Sequence, residues 1–280
     1  MSSITIHPTT ETDLESLQAL WNDGDVMRFV GFPHGLGMSA EKMQHWYAWL
    51  CDGRPQREHF SIMEGDVFCG ETFYAIDALG YASLDIKLVA QARSRGFGYL
   101  GLKHAICEAF NQGAHTVWVD PNQANIKALA LYHRLGFVAA KRPSHQDDVE
   151  GFLYLHLRKA DLPAQWAIEE PQLWLSTFHN PLPFEITPTE VKTVMTTFCS
   201  SLDPFVLTPL PAREKHKWVL IAAVSRCFDP HRDYAEKEIM AVLKPMNPDP
   251  ITIRRYLVDY RFLWRTKDGS RYGRNEVNCD

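Results

Sequence analysis

Leu84-Asp85-Ile86-Lys87-Leu88-Val89-Ala90-Gln91-Ala92-Arg93-Ser94-Arg95-Gly96-Phe97-Gly98 decides how the rest of the chain is read. A strand-like run, Tyr81 to Val89, gives way to the spacing Arg93-x-x-Gly96-x-Gly98, which runs straight into a helical pattern over Phe97 to Phe110. Glycines at a strand-to-helix turn let backbone N–H groups converge on an anion. The helix N-terminus adds partial positive charge, and Arg93 and Arg95 add full charges. The turn reads as a diphosphate cradle. Taken alone, the same spacing also suits an ordinary glycine-rich turn.

Further along stand Val119-Asp120-Pro121 and then Asn125-x-x-Ala128-x-x-x-Tyr132-x-x-x-Gly136-Phe137. Intervals of three and four put Asn125, Ala128 and Tyr132 on one helix face. An amide, a small residue and a phenol on one face suit a pocket wall, and equally a buried face with a satisfied tyrosine. Gly136 reads as a helix C-cap.

In this order, the two motifs resemble the GNAT superfamily of acetyl-CoA-dependent N-acetyltransferases over about residues 3–160. The resemblance implies an α+β chain whose first part has the GNAT fold, a mixed, mostly antiparallel, splayed sheet flanked by helices. It implies acetyl-CoA as cosubstrate, lying between the strand ending at Leu88 and the strand starting at Val117. By residue match, the backbone of Ile86, Lys87 and Leu88 pairs with pantetheine. The turn of Arg93, Ser94, Arg95, Gly96, Phe97 and Gly98 holds the pyrophosphate. Asn125 bonds the pantetheine arm, and Tyr132 sits beside the thioester sulfur.

The chemistry then assigns roles. An amine must be neutral to attack a thioester, so a group must take its proton, directly or through water. Asp85 and Glu71 are the candidate bases, and each also suits a solvated acid on a strand face. The oxyanion needs a backbone N–H, for which Leu88 is placed. Tyr132 is the candidate proton donor to the leaving thiolate. Leu20-Trp21-Asn22-Asp23 with Val26 to Gly31 resembles the opening of the ribosomal-protein and aminoglycoside-acetylating branches. Leu84 to Leu88 and Val119-Asp120-Pro121 resemble the aminoglycoside 6′-acetyltransferase pattern, in which the strand acid lines the amine pocket. The acceptor implied is a primary amine of a small molecule, aminoglycoside-like or another polyamine, or of a peptide.

Outward from the motifs, hydrophobic periodicity predicts the order β-α-α-β-β-β-α-β-α-β-β. Strands are expected at Ile4 to Pro8, Phe60 to Met63, Val67 to Asp77, Tyr81 to Val89 and Val117 to Val119, with closing strands at Phe137 to Ala140 and Gly151 to Leu157. Helices are expected from Thr10 to Asn22, Ser39 to Leu50, Phe97 to Phe110 and Asn125 to Leu135.

Residues 161–184 carry Pro163, Pro171, Pro181 and Pro183 with Trp166 and Trp174, and no glycine. Tryptophans that want burial make this a connector packed on a surface. Thr187-Pro188-Thr189-Glu190 is a capping box opening a helix to about Ser201. Helices follow at Arg213 to Cys227, Tyr234 to Leu243 and Pro250 to Tyr260, then a hairpin over Phe262 to Gly273 around Asp268-Gly269. Three helices and a hairpin are winged-helix order. Residues 205–275 also resemble a small bacterial domain of unknown function, through Phe228-x-Pro-x-Arg-x-Tyr-x-Glu-x-Glu-Ile239, Ile253-Arg254-Arg255-x-Leu-Val-Asp259 and Ser270-Arg271-Tyr272. The expected domains are 1–160, a 161–203 connector and helix, and a mainly helical, winged-helix-like 204–280.

Arg254, Arg255, Arg265, Lys267, Arg271 and Arg274 stand where a nucleic-acid binder would place them, or form the solvated face of an interaction module. The second is favoured, because adjacent Arg254 and Arg255 diverge by about 100° on a helix. A nucleic-acid partner is therefore not favoured, and neither is the rival reading, an acyl-CoA-sensing regulator.

Composition bounds the remainder. The 280 residues carry a net charge of −5, split as −4 over 1–160, −5 over 161–203 and +4 over 204–280. A negative first domain suits a cationic amine. Hydrophobic residues at 45% and charged residues at 22% fit a globular chain with a real core. No apolar run approaches the ~20 residues of a membrane helix. The start, Met-Ser-Ser-Ile, lacks the basic and apolar parts of a secretory signal. Six scattered cysteines form no C-x-x-C pair, so neither a metal site nor a disulfide framework is expected. A cytoplasmic monomer or homodimer is the expectation.

Overall fold

The computed structural model describes residues 4–146, 150–178 and 182–275. They divide into two compact units, Met1–Lys159 and Ala160–Asp280.

In the first unit, β1 (Ile4–Pro8) leads into α1 (Leu14–Asn22) through a 3₁₀ turn, where Thr10 N–H donates to Asp13 Oδ2 at 2.8 Å. Leu14, Leu17, Leu20 and Trp21, at helical spacing, are the buried face of α1. A short α2 (Gly24–Met27), not expected from the sequence, precedes α3 (Ala40–Asp52). Ser39 caps α3 by accepting from Lys42 N at 3.2 Å.

β2 (Arg57–Glu64), β3 (Val67–Ile76) and β4 (Tyr81–Leu88) form an antiparallel meander. β2 begins three residues before the expected Phe60, because the ladder runs on from Phe60↔Thr72 to Arg57↔Ala75. The polar His59 and Ser61 stay inside it, since Thr9 Oγ1 lies 2.7 Å from His59 Nδ1 and 3.0 Å from Ser61 Oγ. α4 (Phe97–Asn111) then crosses to β5 (Thr116–Val119), and α5 (Ile126–Leu135) leads to β6 (Val138–Ala139) and β7 (Leu155–Arg158). β7 starts later than the expected Gly151; before it, Phe152 makes only an isolated bridge to Asn122.

The sheet order is β1-β2-β3-β4-β5-β7-β6. Only β4 and β5 are parallel, and they pair at just Tyr81↔Thr116, Ala82↔Val117 and Ser83↔Trp118. β4 runs five residues beyond that point and β5 one. The sheet therefore splays, as the resemblance implies. α4 lies close over one sheet face because Gly101 has no side chain. A Cβ there would stand 2.6 Å from Ile62 Cδ1 and 3.0 Å from Ile86 Cδ1.

The second unit contains α6 (Trp166–Glu169), α7 (Pro171–Leu175), α8 (Pro188–Phe198), β8 (Cys199–Leu202), β9 (Phe205–Leu207), α9 (Glu214–Ser225), β10 (Asp233–Ala235), α10 (Glu236–Leu243), α11 (Pro250–Asp259), β11 (Leu263–Arg265) and β12 (Arg271–Arg274). α8 was expected to reach Ser201. It stops at Phe198 because Cys199 turns to extended backbone and pairs with Leu207 in a β8–β9 hairpin. Helical periodicity extends back over Tyr234 and Ala235 of β10. Tyr234 instead pairs with Tyr272 and packs on Phe228 at 5.4 Å, and Glu238 accepts from Ala235 N at 2.8 Å to open α10 at Glu236, two residues later than expected. The second sheet has the order β10-β12-β11.

The proline-rich segment packs within this unit. Trp174 meets Phe178 at 4.7 Å, and Phe178 meets Trp218 at 5.2 Å and Phe262 at 6.0 Å. Trp166 and Trp174 are fully buried. Trp174→Ala is expected to cost about 3–5 kcal/mol, as a large core cavity does, read as a lower urea midpoint for the full chain.

Candidate active site

Where β4 and β5 part, a cleft of about 1010 Å³ opens. Leu84 to Leu88 of β4 line one wall, and Val119, Asp120 and Pro121 line the other. Past Ser83 this edge of β4 has no strand partner on the β5 side, so its backbone groups are available to a ligand. Asp25, Arg28, Phe29, Phe73, Arg93, Ser94, Gly96 and Gly98 line it as well, with residues of α5.

The cradle turn follows from local conformation. Ser94 and Gly96 have φ of +61° and +92°, which turns the chain into the N-terminus of α4. The first-turn amides of a helix have no intrahelical acceptor and point outward. Arg93 lines the cleft, and its Nε donates to Leu88 O at 3.2 Å. Arg95 was expected to add a second charge here. Its guanidinium instead pairs with Glu64 Oε1 at 2.7 Å and does not line the cleft. Phe97 is likewise outside the cleft, buried in the core with Ile62, Cys69 and Ala92.

Asn125 caps α5, its Oδ1 accepting from Ala128 N at 3.2 Å, so Nδ2 is left to donate elsewhere. Asn125, Ala128 and Tyr132 all line the cleft. Burial, with Asp85 adding to it, pushes the Tyr132 phenol well above its ordinary value. It is therefore protonated at neutral pH and able to donate.

The two acids expected as bases separate. Asp85 lines the cleft, where its Oδ1 accepts from Ile86 N at 2.7 Å and its Oδ2 meets Lys87 Nζ. The Ile86 N–H, expected to serve the cofactor, is thus used by Asp85. Glu71 is not in the cleft. It is buried, 2.5 Å from His59 Nε2 and 3.0 Å from Lys87 Nζ. Burial alone would raise its carboxyl, but Lys87 and His59 outweigh it and hold Glu71 down to about 2. A shielded carboxylate so weakly basic does not suit a general base.

Asp120, quoted in the sequence without a role, stands at the end of β5 on the wall facing Asp85. Burial raises its carboxyl, opposed by Arg142 at 3.5 Å. The Lys87 side chain was also missed, because it was read only for its backbone. Alternation puts it on the same strand face as Asp85, but only the Glu71↔Lys87 register shows what it touches.

Residues 3–138 match the family model of an acetyltransferase (GNAT) domain. The first unit is a GNAT acetyltransferase domain. Residues 206–274 match an uncharacterized protein family conserved in bacteria (DUF2087). Solved structures similar to the acetyltransferase domain include a spermidine N-acetyltransferase from Vibrio cholerae in complex with CoA and spermine, at 17% identity over 55% of this chain and 95% of that one, with a TM-score of 0.48. An N-acetyltransferase from Staphylococcus aureus Mu50 matches at 17% identity over 56% of this chain and 99% of that one, with a TM-score of 0.47. A ribosomal-protein-alanine N-acetyltransferase from Brucella melitensis matches at 20% identity over 55% and 99%, with a TM-score of 0.44. No curated protein matches the chain in sequence. Among the described residues, no helix is long and apolar enough to cross a membrane, and no group of three or more His, Cys, Asp or Glu could hold a metal ion.

In the second unit, several of the expected basic residues are engaged. Arg254 pairs with Glu236, and Arg271 with Asp233 at 3.6 Å. Arg274 is buried, donating to Ala160 O at 3.1 Å and pairing with Asp161 at 3.2 Å.

Glu71 makes the acetyltransferase domain sensitive to acid. Its carboxyl is held at about 2 against an ordinary 4.5. Its stabilisation is full above the unfolded value and is lost as pH falls through the folded one, a difference of about 3 kcal/mol. Urea midpoints should fall between pH 5 and pH 2, and Glu71→Gln should flatten that limb.

Proposed function

We propose that the protein moves the acetyl group of acetyl-CoA to a primary amine of a small molecule, aminoglycoside-like or another polyamine, or of a peptide. What carries the reading is the convergence on one cleft of a free strand edge, an amide-lined turn with Arg93, and Tyr132. The turn and Arg93 suit the pyrophosphate. The open edge of β4 toward Leu88 suits the pantetheine arm, with Asn125 Nδ2 across from it. Acid on both walls, Asp85 and Asp120, suits a cationic amine in the cleft.

The reaction follows from these positions. The ammonium is received at Asp85 and gives up a proton, either to Asp85 or through water to Asp120. The neutral amine attacks the thioester carbonyl, with the Leu88 N–H placed to bind the oxyanion. As the carbon–sulfur bond breaks, Tyr132 gives its proton to the departing thiolate, and the proton lost by the acylated nitrogen restores the phenol. The test is release of free CoA with a panel of amines. Tyr132→Phe should lower kcat by roughly 10²–10⁴-fold with little change in KM for acetyl-CoA. Unchanged kcat at every pH would make Tyr132 structural.

For the second unit we propose a winged-helix-like interaction or substrate-shaping module. The order α9, β10, α10, α11, β11, β12, with β12 central in its sheet, supports that reading. Use of Arg254, Arg271 and Arg274 in internal ion pairs argues against a DNA-reading surface, and so against the regulator. A gel shift on random duplex at low salt should show no binding tighter than about micromolar; tighter binding lost steeply with salt would reverse this.

A further inference from the structure

The sheet face away from α4 carries a run of polar groups in its interior. His59 and Ser61 of β2, Glu71 of β3, and Lys87 and Asp85 of β4 lie on the same side by register and alternation. Trp46 and Trp21 cover them edge-on, with rings 4.9 Å and 6.0 Å from His59. His59 and Glu71 are each 2% exposed. The contacts run in series: Thr9 Oγ1 to His59 Nδ1 at 2.7 Å, His59 Nε2 to Glu71 Oε2 at 2.5 Å, Glu71 Oε1 to Lys87 Nζ at 3.0 Å, and Lys87 Nζ to Asp85 Oδ2.

Burying charge inside a sheet is costly, so a purely structural role would be served as well by apolar residues. Two properties set this series apart from a plain ion pair. It ends in the cleft, where the Asp85 side chain is 40% exposed while that of Lys87 is 12% exposed. And one ammonium serves two carboxylates. Of the two, Asp85 is the one nearest the open end.

We propose that Lys87 is a positioning residue, anchored by Glu71 and His59, that fixes the Asp85 carboxylate toward the ammonium of a cationic alkyl amine acceptor. This rests on the acetyltransferase reading above. Asp85 is held at both oxygens, by Ile86 N–H at 2.7 Å and by Lys87, so it meets the amine in one orientation. Lys87 cannot follow the substrate, because Glu71 retains it. Lys87 is not itself a nucleophile; the two carboxylates keep its ammonium protonated, well above the ordinary lysine range.

The test removes one positive and one negative charge together, so that the net charge of the series is kept. Lys87→Met/Glu71→Gln should raise KM for an alkyl amine about tenfold, with kcat changed less. Acetyl-CoA affinity by calorimetry should change less than about twofold. An aryl amine, uncharged at neutral pH, should also change less than about twofold. In an Asp85→Asn background the same pair of substitutions should add less than about twofold, because Lys87 acts through Asp85. Should the double variant fail to fold, Glu71→Gln alone carries the same cycle with Asp85→Asn, with an expected rise of about threefold in the amine KM. Additive effects in either cycle, or equal losses for alkyl amine, aryl amine and acetyl-CoA, would overturn the role of Lys87 while leaving the acetyltransferase reading intact. Absence of CoA release from the wild-type chain with every amine would overturn both.

Discussion

The parallel ladder between β4 and β5 stops at Ser83 and Trp118, while β4 continues to Leu88. A strand edge inside a sheet normally has its hydrogen bonds filled by a neighbour. Here that neighbour is missing over five residues, and a ligand can take its place. The cradle turn, α5 with Asn125 and Tyr132, and the acids Asp85 and Asp120 are all arranged around this gap. A longer β4–β5 ladder would close the cleft and leave those residues without a common site.

The gap would weaken the sheet if its two faces were not held. On one face α4 sits close over Ile62 and Ile86 through Gly101, with Leu102, Ala105, Ile106 and Phe110 buried. On the other, α1 and α3 bring Trp21 and Trp46 down on His59. That second face is where charge has been placed in the interior. Glu71 is tolerated there because Lys87 and His59 both reach it, and Asp85 is oriented by the same lysine. Stability and acceptor recognition thus share one set of contacts, in which Glu71 serves the fold and Asp85 faces the cleft.

The second unit solves a different problem. Its helices are short, and its two sheets have two and three strands. The tryptophans of residues 161–184 complete its core, with Trp174, Phe178, Trp218 and Phe262 in edge-to-face or tilted contact. Arg232, Arg254, Arg271 and Arg274 pair with acids of the same unit.

Local pattern was enough for much of this. Arg93-x-x-Gly96-x-Gly98 at a strand-to-helix turn, and Asn125, Ala128 and Tyr132 at helical spacing, identify the cleft-lining elements, because backbone conformation and helix periodicity are properties of short stretches. The longer helices of both units and the Asp268-Gly269 hairpin were legible for the same reason, whereas the short α2, α6 and α7 were not. Strand pairing was not, since register joins residues far apart in the chain. The β8–β9 hairpin and β10 were hidden behind helical propensity that pairing overrode. Arg95 and Glu71 carry the same charge in sequence as Arg93 and Asp85. Only tertiary packing turns Arg95 onto Glu64 and buries Glu71 between His59 and Lys87, while Arg93 and Asp85 face the cleft, because what a charged group does depends on which partners and how much water surround it.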